Sequence, residues 1–150
     1  MRERFSTLAR STLIGWVALL AASYLLLRPL LIWIAPLVGA SWFPTVQLSL
    51  QCFVLAGIGW LVGHLNRSSA VVGVLVFAAT LTPWDFGTVL AVNVPSLARL
   101  TVNAFRDPRY FDSLIATAGA HALLFGSLMA GALLRQAPRT RPLSIVRGDP

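Results

Sequence analysis

Charge is scarce in this sequence. Only 11% of its 150 residues are charged, where soluble domains carry roughly 25%. Such a chain cannot clothe a water-facing surface in polar groups. Lysine is absent altogether: all 12 basic residues are arginine, against 5 acids. Cysteine occurs once, as Cys52. A lone cysteine excludes an intramolecular disulfide and a cysteine-built metal site, and within an apolar block it reads as a small apolar side chain. Catalytic signatures are missing as well. There is no HExxH, no GxSxG and no phosphate-binding glycine loop, and no histidine is placed beside a plausible nucleophile. No enzyme is expected, and neither a metal nor a cofactor is implied.

What the chain does have is apolar length. The hydrophobic fraction is 57% and the mean hydropathy +0.75, with the apolar residues in long blocks and the arginines almost entirely between them. A bilayer core needs about 20 consecutive apolar residues per spanning helix. Four blocks qualify or nearly so: Leu13 to Val38, Val46 to Leu65, Ala70 to Thr82 with an extension, and Leu114 to Leu134. The expected fold is therefore all-α: a polytopic membrane protein with four transmembrane helices and no room for a separate soluble domain. The spans run over about 12–38, 45–65, 69–92 and 112–135, with tails 1–11 and 136–150.

The blocks are unequal. Ser11 and Thr12 can cap the first helix, which is overlong and broken by Arg28-Pro29, so a kink is predicted near Tyr24 to Leu27. The first block is not read as a cleaved signal peptide, because it exceeds the usual apolar length and contains Arg28. The third block is short and runs into Pro83-Trp84-Asp85; it stops near Thr82 or continues, kinked, to about Val92. Ser68 and Ser69 can cap it. Between the third and fourth spans, Arg99, Asn103 and Arg106 fall at i, i+4 and i+7 and form one polar stripe. That pattern predicts an amphipathic helix lying in the membrane interface. Asp107-Pro108 then makes a cap and first-turn pair for the last helix. Trp42, Trp84, Tyr110 and Phe111 fall at interface levels and read as anchors.

The arginines set an orientation. With four crossings, Arg2, Arg4, Arg10, Arg67, Arg135, Arg139, Arg141 and Arg147 share one side, and Arg28, Arg99, Arg106 and Arg109 the other. Positive residues favour the cytoplasm, so both termini are expected inside a bacterial-type inner (plasma) membrane. Because the arginines mark segment ends and do not cluster on one polar face, nucleic acid is not an expected partner. The expected partners are the lipid bilayer and either other membrane subunits or a second copy.

Three groups of residues could carry a function. Arg28 and Asp85 each lie about 25 Å from the inner end of their helices, and they either share a polar pocket with Tyr24 and Thr82 or reach separately for headgroups. His121, inside the last helix, could ligate a haem or a chlorin, although a hydrogen bond to a neighbouring helix is the default. The two histidines are about 20 Å apart in depth, too far to sandwich one haem. Small residues mark packing faces: Gly59 and Gly63 in the second helix, and Ala118, Ala122, Gly126 and Ala130 in the fourth. Those faces serve this bundle, a dimer or a larger partner. The expected role is a non-catalytic accessory or scaffold subunit of a membrane complex. A small oligomeric transporter or channel is the alternative, and a haem- or chlorin-binding subunit using His121 is a second.

Overall fold

The computed structural model describes residues 2–66, 69–81 and 94–136, and among them there is helix and short turn but no strand. Helix α1 (Arg2–Ala21) leads through a π-helical turn (Ala22–Leu27) into α2 (Arg28–Val38). Helix α1 includes residues 2–11, so Ser11 and Thr12 lie inside it and do not cap it. The reason is local: Arg, Glu, Leu and Ala dominate residues 2–10, with no proline or glycine to interrupt them.

The irregularity before Pro29 also has a local cause. Proline lacks an N–H, and its ring crowds the carbonyl four residues back, here that of Leu25. The chain widens to accommodate it: the Arg28 N–H donates to the Ser23 carbonyl, five residues back. Helix α2 ends at Gly39, whose φ of 76° and ψ of 159° suit glycine and almost nothing else.

Helix α3 (Phe43–Leu65) starts with Pro44 in its first turn, where a missing donor is harmless. It ends at Asn66, and α4 (Ala70–Leu81) follows almost at once. The 12 residues of α4 rise about 18 Å, short of a hydrocarbon core. The expected continuation to about Val92, with its bend at Pro83, lies outside the described residues.

Helix α5 (Val94–Arg106) packs on α6 (Phe111–Gln136) and on the short 3-10 turn between them, Pro108–Tyr110. As the spacing predicts, Arg99, Asn103 and Arg106 of α5 are exposed. Asp107 caps the turn by accepting from the Arg109 N–H at 3.0 Å, and it pairs with the Arg109 guanidinium at 3.0 Å. Among the described residues three helices are long and apolar enough to cross a membrane: Arg4–Val38, Phe43–Leu65 and Pro108–Leu134.

The core is centred on α3 and α6, which form the most extensive interface among the described residues. Gly59 faces Leu128 and Gly63 faces Ala132, so equal steps along the two helices match and they run parallel. Their backbones touch. A Cβ on Gly59 would overlap the Leu128 carbonyl, and one on Gly131 would overlap the Ala56 carbonyl. Around this contact lie Leu55, Ile58, Val62, Leu124 and Leu128, all buried. Helix α4 adds Val74 and Phe77, and α1 seats Phe77 and Val62 against Gly15.

Two predictions follow from this packing and from the cap. Gly59→Ala and Gly131→Ala should each destabilise the protein in detergent by about 1–3 kcal/mol, because overpacking outweighs the propensity gain of alanine. Gly126→Ala, whose Cβ would enter open space, should be neutral or stabilising, and thermal unfolding of the three variants tests the contrast. The Arg109 side-chain bond, followed by the Arg109 backbone bond, holds the Asp107 carboxyl below its ordinary value. A lowered folded value means that the cap is fully present above the ordinary carboxylate range and is lost as pH falls through the lowered one. Amide exchange at Arg109 and Tyr110, corrected for intrinsic rates, should stay flat near neutrality and rise only in that acid window.

Candidate functional site: the buried polar groups

A membrane-type helix hides its polar side chains from lipid, so those that are buried mark where chemistry or specific contact can occur. Among the described residues, Ser11, Ser23, Gln51, Asn66 and His121 are buried. They fall into an inner and an outer group.

The inner group ties α1 to the α3–α4 corner. Asn66 Nδ2 donates to Ser11 Oγ at 2.7 Å and to the Val62 carbonyl at 2.9 Å, while Ser11 Oγ donates to the Leu8 carbonyl at 2.9 Å. The Asn66 carbonyl accepts from the Ser69 N–H at 3.0 Å, which turns the chain into α4. Gly73 leaves room for the Asn66 side chain, since a Cβ there would overlap its amide. Beside this knot a cleft of about 480 Å³ is lined by Ser6, Thr7, Arg10, Ser11 and Leu65. Higher in the bundle, Trp16 Nε1 donates to Thr80 Oγ1 at 2.9 Å, and the Trp16 ring meets Phe77 edge to face at 6.3 Å.

The outer group comprises Ser23, Gln51 and His121. The α3–α6 register, extended seven residues from Gly59 and Leu128, puts His121 at the level of Gln51 and Cys52. His121 Nδ1 lies 2.7 Å from the Thr117 carbonyl of its own helix. A carbonyl can only accept, so Nδ1 carries the proton and the ring is held in one orientation. Ser23 Oγ and Thr12 Oγ1 are buried with no hydrogen-bond partner among the described residues. Near the opposite end of α3, Trp60 and His64 stack at 5.4 Å.

The proposed Arg28 pocket is not assembled among the described residues. Arg28 and Tyr24 are both exposed, and Arg28 has no hydrogen bond or ion pair there; Asp85 and Thr82 lie outside the described residues. Of the small residues, Gly59 and Gly63 sit in the α3–α6 contact. Ala118, Ala122, Gly126 and Ala130 do not: all four are exposed, on the far side of α6. The inward face of α6 carries His121, Leu124, Leu128, Gly131 and Ala132 instead. Of the roles open to the four exposed small residues, packing within this bundle is therefore not theirs, for a simple reason. Two small-residue series run along this helix, and burying His121 turns the other one inward.

Gly15, Gly73 and Gly131 are close-packing positions that small-residue spacing alone misses. Counting outward from the buried polar residue finds Gly131, ten residues from His121, and Gly15, four residues from Ser11. Among the described residues no group of His, Cys, Asp or Glu could hold a metal ion. Comparison with protein-family models, with curated proteins and with solved structures finds no match.

The Ser11–Asn66 bond should be worth about 0.5–1.5 kcal/mol net, with more lost when one partner is removed alone. A double-mutant cycle with Ser11→Ala and Asn66→Ala should therefore show a positive coupling energy in that range. Additive losses would mean that the bond contributes nothing.

Proposed function

We propose that this chain is a non-catalytic accessory or scaffold subunit of a membrane complex. Its three long apolar helices and the span expected over about 69–92 make four crossings, with α5 lying along the outer interface. Eight of the 12 arginines then fall on the side of the termini, which the positive-inside rule assigns to the cytoplasm of a bacterial-type inner membrane. Helix α5 suits the interface because its polar stripe Arg99, Asn103 and Arg106 is exposed alongside Val102 and Phe105.

The observation that carries the reading is the contrast between the two faces of the fold. The interior is closed by α3 and α6 at backbone contact, with no room between them for a substrate. The outside is apolar and uncommitted: α2 has no buried residue at all, and Leu25, Ile32, Trp33 and Leu37 are exposed along the first helix. A bundle shut inside and apolar outside is suited to holding other membrane proteins in place. It is poorly suited to conducting a solute, which within one copy would require the α3–α6 contact to open.

Purification of the full chain from its own membrane in mild detergent tests this. A stoichiometric membrane protein partner, retained through size exclusion, is the expected result. A chain recovered alone, as a monomer, from both native membranes and nanodiscs would overturn the proposal.

A further inference from the structure

The first helix is in conflict with itself around Arg28. Ser11 marks the inner end of its apolar stretch, and Val38 lies 27 residues further on. That is about 40 Å of helix against a hydrocarbon core of about 30 Å. Standing upright, the helix lets Arg28 reach the outer headgroups from about 25 Å up, but then Ile32 to Val38 project beyond the core with their apolar side chains bare. Immersing that stretch takes a tilt of about 40°, the limit of what spans adopt, and draws Arg28 roughly 10 Å below the outer edge. Lipid alone satisfies one end of this segment only at the expense of the other.

The described residues do not resolve the conflict. Arg28 is exposed, with no hydrogen-bond or ion-pair partner among the described residues. Its surface neighbours one turn either way, Leu25 and Ile32, are 79% and 65% exposed. Leu25 also borders an open apolar groove of about 380 Å³ that continues past Pro29, Trp33 and Leu37. At about 100° per residue Trp33 and Leu37 lie well round the helix from Arg28, so the strip that Arg28 itself occupies is Leu25, Ile32 and Ala35, all exposed. A guanidinium on such an apolar strip asks for an apolar helix carrying a carboxylate.

We propose that this face, centred on Arg28, docks a membrane-spanning helix of a different protein that bears an aspartate or glutamate at the depth of Arg28. Its apolar side chains cover Leu25, Ile32 and Ala35, and its carboxylate pairs with the guanidinium out of contact with water. A second copy of this chain is a poorer occupant. A two-fold interface centred here would bring Arg28 against its own counterpart. Among the described acids, Asp107 is held by Arg109, Asp112 opens α6, and Glu3 lies in the first turn of α1. The inference rests on the accessory-subunit reading and names the chemistry of the partner.

The test places a photo-reactive residue at Leu25 or at Ile32 in the full-length chain in its native membrane, with a control at Phe53, which is exposed on α3. Both probes should cross-link to one membrane-spanning segment containing Asp or Glu, and the Phe53 probe should not. Arg28→Leu should lower the yield at least fivefold, while Arg28→Lys should keep most of it. Because the Arg28 side chain has no bond among the described residues, thermal stability of the isolated chain should be unchanged in both variants. Cross-links to lipid alone, to a second copy, or to a segment without a carboxylate would overturn the proposal, as would a yield indifferent to Arg28→Leu. If a partner still co-purifies while these probes fail, only the docking face is wrong. If no partner co-purifies but the probes capture one acidic helix, this face stands and the stable-subunit reading falls.

Discussion

The fold depends on the contact between α3 and α6, where Gly59 and Gly131 let two backbones meet. In lipid, helices gain little from hydrophobic burial against one another, because acyl chains are as apolar as leucine. What remains is dispersion at close range and a few polar bonds, and both weaken steeply with distance. Removing side chains at two positions brings the axes together, and the surrounding Ile58, Val62, Leu124 and Leu128 then pack without gaps. Helices α1 and α4 build on this pair. Gly15 seats Val62 and Phe77, and Trp16 reaches across to Thr80, so the first helix is aligned by contacts that exist only once α3 and α4 are set.

Polar residues decide which way each helix turns. Along α1 and the π turn the buried series contains Ser11 and Ser23, on α3 and its C-cap it runs from Gln51 to Asn66, and on α6 it starts at His121. A leucine or alanine can face lipid or protein at little difference in free energy; an amide or an imidazole cannot. This is why the small-residue series of α6 does not mark the packing face within the bundle. Ala118, Ala122, Gly126 and Ala130 have the spacing of a packing ridge, but nothing about alanine forces it inward, whereas His121 does force its own face inward and carries Gly131 with it.

The apolar blocks make the long helices legible in the sequence, because a continuous run of more than 20 apolar residues leaves a chain few alternatives. The ends of those helices are less legible. The first helix starts ten residues before the expected cap, since serine and threonine only permit a start and the good helix formers before them remove the need for one. The irregularity before Pro29 is legible in position but not in kind. Proline dictates that a hydrogen bond is lost, yet whether the chain kinks or widens depends on what the buried face requires. The inner polar knot is not legible at all, because Ser11 and Asn66 are far apart in sequence and each reads locally as a helix terminus.

That buried face explains the widened turn. Ser11, Gly15, Leu19, Ser23 and Leu27 are all buried at a uniform spacing of four. An ordinary helix of about 3.6 residues per turn advances such a series by about 40° per step, so it should leave the interface before it reaches Leu27. A π turn rotates less per residue, and placed over Ala22–Leu27 it brings Leu27 back beneath Ser23. The same geometry puts the next residue, Arg28, off the buried face, and beyond it α2 has no buried residue. Pro29 thus does more than interrupt a helix. It sets the phase in which the last buried side chain stays in the bundle and the only charge of the upper helix is turned out of it.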